Sequence, residues 1–153
     1  MHYQPQPELL QNRIILVTGA GDGIGREAAL TYARHGAQLI LLGRTLSKLQ
    51  AVQEQIRQLG LSPAAIVQFD LLTAKPADYQ KLGAELASAY PYLDGVLNNA
   101  GLLGTINPLA EQDYQEFCDV MQVNVNASLL LSQALLPLLL KAPSASLIFT
   151  SSS

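Results

Sequence analysis

A glycine-rich turn between a strand and a helix is the feature that most constrains this fold. Residues 18–25 read Thr-Gly-Ala-Gly-Asp-Gly-Ile-Gly. They follow an aliphatic run at residues 13–18, typical of a strand buried on both faces, and they open a helical pattern at residues 23–35. Glycines here allow a tight turn, close approach of the backbone to a phosphate, and packing of the helix on the sheet. The loop therefore predicts a phosphate-bearing ligand at the amino end of that helix.

Other interpretations of the glycine-rich loop predict a different ligand or no ligand. A nucleotide-hydrolysing phosphate loop ends in Gly-Lys-Ser or Gly-Lys-Thr, whereas Arg26 and Glu27 follow Gly25 here. A methyltransferase loop for S-adenosylmethionine is a distant alternative that the glycine spacing does not resemble. A flexible turn without a ligand stays open, but the position between a predicted strand and a predicted helix favours a dinucleotide.

The strand and helix pattern of this first unit repeats along the chain. Strands are predicted at residues 13–18, 38–42, 64–69, 95–98 and 146–150, and helices at residues 23–35, 46–59, 76–88 and 111–141, the last interrupted near Pro137. Such alternation predicts right-handed crossovers and a parallel sheet covered on both faces. We therefore expect an α/β fold with a doubly wound parallel sheet, the Rossmann fold, in one domain over residues 1–153. Because the chain stops directly after the fifth strand, we expect this to be the truncated first part of a longer domain.

Composition and charge exclude several classes of protein. Of the 153 residues, 49% are hydrophobic, 14% are charged and one is Cys, which predicts an apolar core without disulfides. Residues 1–75 carry seven Lys and Arg against five Asp and Glu, and residues 76–153 carry two against seven. Neither half has the concentrated basic face of a nucleic-acid binder, so no nucleic-acid partner is expected. His2, His35 and Cys118 are scattered, so no metal site is predicted.

No targeting or membrane segment is predicted either. Residues 1–5 lack the basic start and apolar run of a secretory signal, which favours a cytoplasmic location. The most apolar stretch, residues 134–140, falls far short of the roughly 20 residues that a membrane helix needs. We therefore expect no membrane partner.

Three motifs resemble those of the short-chain dehydrogenase/reductase family in order and spacing. They are Thr-Gly-x-x-x-Gly-Ile-Gly at residues 18–25, Asn-Asn-Ala-Gly at residues 98–101, and Val-Asn at residues 123–124. Residues 13–27 further resemble a bacterial subgroup of these oxidoreductases. The resemblance implies an NAD(P)-binding Rossmann domain that transfers a hydride between the nicotinamide and a small alcohol or ketone. It assigns cofactor contacts to Gly19, Gly21, Asp22, Gly23, Ile24, Gly25, Arg44, Asp70, Leu71, Asn98, Ala100 and Gly101.

The choice of nicotinamide cofactor depends on the end of the second predicted strand. A site for NAD usually has Asp or Glu there, about 20 residues past the glycines, to bind the ribose 2′-hydroxyl. Here Gly43 holds that place and Arg44 follows, whose guanidinium suits a 2′-phosphate. Asp22 argues the other way, because many NADP-using relatives carry a basic residue there. We expect NADP(H) to be preferred and NAD(H) to be possible, while a solvated Arg44 at a helix start is the alternative.

The remaining cofactor contacts have local structural alternatives. By resemblance, the Asp70 side chain bonds the adenine and Leu71 lines its pocket, but an Asp that caps a loop is an equal alternative. Residues 98–101 resemble the family's segment beside the cofactor ribose, and a small-residue turn after a strand is the other interpretation.

Candidate catalytic residues follow from the same resemblance. Asn124, a poor helix former within a predicted helix, would help to hold a water in a proton relay, with Asn126 as a neighbour that blurs the choice. Ser152 matches the family's catalytic Ser and would hydrogen-bond the reacting carbonyl, with Ser151 and Ser153 as alternatives. The family's Tyr-x-x-x-Lys acid is absent from the 153 residues. We therefore expect the chain alone to be inactive.

Two further expectations concern a non-catalytic function and the oligomeric state. Without Tyr-x-x-x-Lys, a non-catalytic dinucleotide-binding sensor or structural protein stays open as an alternative to an enzyme. Leucines at residues 129–140 occupy more sides of the last helix than one sheet can cover. By resemblance, this helix pairs across a two-fold axis, so we expect a homo-oligomer, either a dimer or a tetramer.

Overall fold

Five parallel strands form one sheet at the centre of the molecule. The structure, a computed structural model, describes residues 5–151. The strands are β1 (Ile14–Thr18), β2 (Gln38–Gly43), β3 (Ala65–Gln68), β4 (Gly95–Asn98) and β5 (Ser146–Phe149). They lie in the order β3-β2-β1-β4-β5, and every neighbouring pair is parallel. This is the doubly wound order, and it confirms the α/β Rossmann fold expected from the sequence.

The helices lie on the two faces of the sheet. They are α1 (Gly23–Arg34), α2 (Leu46–Gln58), α3 (Pro76–Ala89), α4 (Tyr114–Met121) and α5 (Ala127–Leu139), with a π-helical turn at Gln122–Asn126 and a 3-10 turn at Leu109–Glu111. Every residue of β1 is buried, and alternate side chains point into opposite cores. Ile14 and Leu16 belong to the core that includes residues of α3 and α5, whereas Ile15 and Val17 belong to the core that includes residues of α1 and α2. The aliphatic run thus needs apolar cover on both sides.

The long helical region differs from the sequence prediction in two ways. It begins at Tyr114 and not at Glu111, because Asp113 caps the first turn by accepting from the Glu116 N–H at 2.7 Å. The prediction of an interruption near Pro137 was wrong. Pro137 lies inside the last turns of α5, where buried neighbours such as Leu135 and Leu138 hold the segment helical despite the missing N–H. The irregularity lies instead in the π-helical turn at Gln122–Asn126.

The edge strand β5 is the least covered part of the sheet. All four of its residues are exposed, among them Leu147, Ile148 and Phe149. Within residues 5–151, no helix combines the length and the apolar character needed to cross a bilayer.

Candidate functional site

A cleft of about 470 Å³ opens at the carboxyl ends of the central strands. Open α/β sheets bind their ligands at this edge, where the strand order reverses between β1 and β4. The predicted cofactor residues that line the cleft are Gly19, Gly21, Asp22, Gly23, Arg44, Asp70, Leu71, Ala100 and Gly101. Three others do not line it: Gly25 is buried behind the loop, Asn98 is buried in β4, and Ile24 is 74% exposed. The structure therefore brings most of the predicted residues together.

The glycine loop is tight because the start of α1 presses against the turn that leaves β1. Gly19 has a φ of +64°, a left-handed conformation that favours glycine. A Cβ atom on Gly25 would lie 2.3 Å from the Gly19 carbonyl oxygen and 2.6 Å from the Asn99 Nδ2 atom. No side chain fits there, so glycine at position 25 keeps the amino end of α1 close to the cleft floor.

The Thr18 hydroxyl joins the glycine loop to the segment after β4. Its Oγ1 atom accepts hydrogen bonds from the backbone N–H groups of Asn99 and Ala100, both at 2.9 Å. Asn98, one residue earlier, donates from its buried side chain to the Ser132 Oγ atom on α5 at 3.4 Å. These bonds fix the position of the glycine loop relative to the segment that follows β4. Thr18 is part of the sequence motif at the end of β1, but the motif does not predict this role.

Charged side chains gather at the mouth of the cleft beside α2. Asp22 caps α1 by accepting from the Gly23 N–H at 2.8 Å, and it also accepts from the Lys48 Nζ atom at 2.5 Å. The hydrogen bond from Lys48, with smaller help from the Gly23 N–H, lowers the pKa of the Asp22 carboxyl. Arg44 follows β2 and is exposed on the same mouth. Lys48 was not among the predicted residues, because only the fold brings α2 against the glycine loop.

The Leu71 carbonyl group fixes the opposite side of the cleft. It accepts from the Tyr79 hydroxyl at 3.3 Å and from the Gln122 side chain at 3.4 Å. Burial, with the negative charge of Asp70 as a second cause, raises the pKa of Tyr79 to about 12. Asp70 itself accepts from the Leu72 N–H at 3.0 Å. This hydrogen bond agrees with the interpretation of Asp70 as a residue that caps a loop. The second carboxylate oxygen of Asp70 remains beside the cleft.

The two candidate Asn residues point in different directions from the π-helical turn. The Asn124 side chain pairs with Leu102, accepting from its N–H at 2.8 Å and donating to its carbonyl at 2.9 Å. Its Oδ1 atom would lie 3.7 Å from a Cβ atom on Gly101, which lines the cleft. Asn126 instead donates to the Gln122 side chain at 3.1 Å. The structure thus places Asn124, and not Asn126, beside the cleft segment.

The predicted serines follow β5. Ser152 and Ser153 lie outside the described residues, and Ser151 is exposed. Thr150, just before them, donates from its N–H to the Asn98 carbonyl at 3.1 Å, so the chain leaves β5 next to the end of β4. The Ser-rich segment therefore starts from the same edge of the sheet as the cleft.

Comparison with known proteins identifies the family. The profile described as short chain dehydrogenase matches residues 13–153. The chain belongs to the short-chain dehydrogenase/reductase family. The uncharacterized oxidoreductase YciK of Escherichia coli K12, from the bacterial subgroup that residues 13–27 resemble, is 58% identical over 154 residues, which cover 100% of this chain and 61% of that protein. The chain therefore spans about three fifths of the length of this relative.

Solved structures of short-chain dehydrogenases match the fold of this chain. The YciK structure from E. coli has a TM-score of 0.96 and 58% identity, covering 100% of this chain and 63% of its own. A short chain dehydrogenase from E. coli CFT073 in complex with NADPH has a TM-score of 0.94 and 58% identity, covering 97% of this chain and 62% of its own. One from Shigella flexneri in complex with NADP has a TM-score of 0.93 and 55% identity, covering 96% and 62%.

The cleft has the features that the family's dinucleotide requires. The open mouth carries Arg44, the floor is formed by the glycine loop and residues 99–101, and the far wall is apolar at Leu71. A Cβ atom on Gly19 would lie 3.0 Å from the Ala100 Cα atom, so a side chain there would fill the space between loop and wall. The residues present therefore fit a bound NAD(P), which this family uses.

Proposed function

We propose that the full-length protein is an NADP(H)-dependent oxidoreductase that interconverts a small alcohol and its ketone. The observation that carries the proposal is the Thr18 hydroxyl, which holds the glycine loop against Asn99 and Ala100 on the other side of one cleft. NADP(H) supplies or accepts the hydride when it is bound. The relatives solved with NADPH and NADP support this choice of cofactor. Residues 1–153 would form the dinucleotide-binding Rossmann domain and would be the amino-terminal part of a longer domain.

Each part of the cleft would hold one part of the dinucleotide. The N–H groups at the amino end of α1, beside Gly21 and Gly23, would bind the pyrophosphate, with the helix dipole favouring its negative charge. Asp70 and Leu71 would hold the adenine. Arg44 would bind the 2′-phosphate, which NADP(H) has and NAD(H) lacks.

Replacement of Arg44 tests the cofactor preference. The Arg44→Ala variant should bind NADPH less tightly by about 1.5 to 3 kcal/mol, the contribution of a well-formed hydrogen bond to a charged group, and NADH much less so. Dissociation constants from calorimetric titration of the full-length gene product give the comparison. Equal losses for both cofactors would show that Arg44 does not contact the 2′-phosphate.

The catalytic step would use groups near Asn124 and Ser152. The Ser152 hydroxyl would hydrogen-bond the carbonyl oxygen as negative charge develops there, and Asn124 would help to order a water for the proton relay. The pairing of the Asn124 side chain with Leu102 would hold the helix and the cleft wall in place for that role. The 153 residues contain no Tyr-x-x-x-Lys to act as the proton donor. Residues 1–153 alone are therefore expected to bind the cofactor without turnover.

The enzyme proposal is tested by NADPH consumption with a panel of ketones. The full-length gene product should oxidise NADPH with at least one ketone, its Ser152→Ala variant should be far slower, and residues 1–153 alone should be inactive. Turnover by residues 1–153 at the full-length rate would show that another group, such as Tyr92 or Tyr114, is the acid. Tight NADPH binding by the full-length product without turnover of any substrate would favour the alternative, a dinucleotide-binding sensor or structural protein.

The surface of α4 and α5 supports the homo-oligomer proposal. Exposed apolar side chains recur every four residues across the π-helical turn, at Phe117, Met121, Val125 and Leu129. Such a stripe is what a helix presents to a partner copy across a two-fold axis. We therefore propose a dimer or tetramer that uses this stripe and that works in the cytoplasm on a small-molecule substrate.

A further inference from the structure

The ion pair between Asp22 and Lys48 crosses the mouth of the cleft. Asp22 belongs to the glycine loop, and Lys48 belongs to α2, yet the Lys48 Nζ atom lies 2.5 Å from the Asp22 Oδ2 atom. Both residues line the cleft together with Arg44. The three charged groups therefore stand on the side of the cleft where the proposed 2′-phosphate would enter.

Folding stability does not account for this pair. The side chains of Lys48 and Asp22 are 54% and 75% exposed, and ion pairs this exposed contribute little to stability. The first carbon of the lysine side chain nevertheless lies against the glycine loop, because a Cβ atom on Gly21 would lie only 2.9 Å from the Lys48 Cβ atom. The geometry keeps the lysine at the mouth, where its charge acts on a ligand.

Asp22 by itself would oppose an NADP(H) preference. Its carboxylate stands on the loop that faces the phosphates, and two anions in one mouth repel each other. Lys48 removes that repulsion, because its ammonium group lies against the carboxylate. An exposed ammonium on a flexible stem can also turn from the carboxylate to a phosphate oxygen.

We propose that Lys48 determines cofactor specificity together with Arg44, neutralising Asp22 in the free protein and sharing its charge with the 2′-phosphate when NADP(H) binds. The inference rests on the proposed NADP(H) preference. The formal charge of the three side chains is +1 with Lys48 present and zero without it. A 2′-phosphate carries about −1.5 to −2 at neutral pH, so the change should matter to NADP(H) and not to NAD(H).

Charge changes at Lys48 and Asp22 give an ordered set of predictions. The Lys48→Met variant keeps the apolar stem and removes the charge, and the Asp22→Asn variant keeps a residue that caps helices well. The formal charge rises to +2 in Asp22→Asn and returns to +1 in the double variant. NADPH selectivity over NADH should therefore be highest in Asp22→Asn, similar in the parent and the double variant, and lowest in Lys48→Met.

The experiment is calorimetric titration of the full-length gene product with NADPH and with NADH. Lys48→Met should weaken NADPH binding by about tenfold or more, as expected for loss of a charge-assisted contact, and change NADH binding by less than about twofold. Lys48→Arg should retain the selectivity. Lys81→Met is the matched control, because Lys81 pairs with Glu85 on α3 and does not line the cleft, so both affinities should stay at the parent values.

The outcomes separate this inference from the proposed function. A parent protein that does not prefer NADPH overturns both. A parent that prefers NADPH, with a Lys48→Met variant that weakens both cofactors equally or neither, overturns the role of Lys48 alone. Loss of selectivity in Lys48→Arg as well would also count against it, because that variant keeps the charge.

Discussion

Replacement of Gly25 by Ala tests the packing that shapes the cleft floor. The added Cβ atom would lie 2.3 Å from the Gly19 carbonyl oxygen, whereas contacts under 3.0 Å are essentially absent for real Cβ atoms. The carbonyl or the start of α1 must therefore move by roughly 0.7 Å. Gly19 cannot move freely, because the neighbouring Thr18 hydroxyl is bonded to Asn99 and Ala100.

The expected magnitude combines two opposing effects. Overpacking a well-packed site costs about 1 to 3 kcal/mol, and the upper value applies here because the crowded atoms belong to the backbone and to an anchored Asn. Ala is better than Gly within a helix by about 1 kcal/mol, which offsets part of that cost. The free energy of unfolding of Gly25→Ala should therefore fall by about 2 kcal/mol. NADPH binding should weaken by about tenfold or more, since shifts of this size misplace binding groups.

Urea unfolding and NADPH titration of the full-length gene product measure both effects. Gly95→Ala on β4 is the matched control, because its Cβ atom would meet Ile15 at 3.5 Å, an ordinary contact. That variant should unfold like the parent and bind NADPH normally. A Gly25→Ala variant with the parent's stability and NADPH affinity would refute the crowding at the loop.

The contacts of Thr18, Tyr79 and Leu129 can each be tested by one substitution. Thr18→Val, which leaves the Asn99 and Ala100 N–H groups without their acceptor, should lower the free energy of unfolding by about 2 kcal/mol in urea titration, whereas Thr18→Ser should not. The raised pKa of Tyr79 means that the folded protein favours the neutral phenol, so this contribution to the free energy of unfolding is complete below pH 10. It should be lost as the pH rises towards 12, by up to about 3 kcal/mol. The free energy of unfolding of Tyr79→Phe should fall less over the same pH interval in alkaline unfolding. Leu129→Asp should convert the oligomer into a monomer by light scattering at micromolar concentration, and a monomeric parent would refute the proposed interface.

The sheet was predictable because its strands carry a signal in their composition. Strands buried on both faces are aliphatic without alternation, and β1, β2 and β4 begin and end within one residue of their predicted limits. Glycines and Pro76 marked the helix ends equally well, because their backbone limits act locally. The long helix was harder to predict. Pro137 looks like a break in sequence, and only the burial of its neighbours shows why α5 continues through it.

The candidate site was predictable where a motif is local and was missed where the fold joins distant residues. The glycine loop and residues 98–101 are continuous segments, so their resemblance to the family's motifs is visible in the sequence. Lys48 bonds to Asp22, 26 residues away, and Tyr79 bonds to Leu71, 8 residues away. The periodicity of the sequence does not indicate such pairings. The π-helical turn that sends Asn124 and Asn126 to different partners depends on one extra residue in the helix, which a helical pattern cannot distinguish.

Hydrogen exchange with and without NADPH tests most directly whether the cleft at the carboxyl ends of the strands is the cofactor site. In the full-length gene product, NADPH should slow exchange of the amides at residues 19–25, 43–45, 70–72 and 99–102, the segments that contain residues lining the cleft. NADH should protect the same segments except residues 43–45, where the 2′-phosphate would bind. Amides near Arg13 and Asp94, at the opposite edge of the sheet, should be unaffected. Protection at that opposite edge, or none at residues 19–25, would contradict the dinucleotide site.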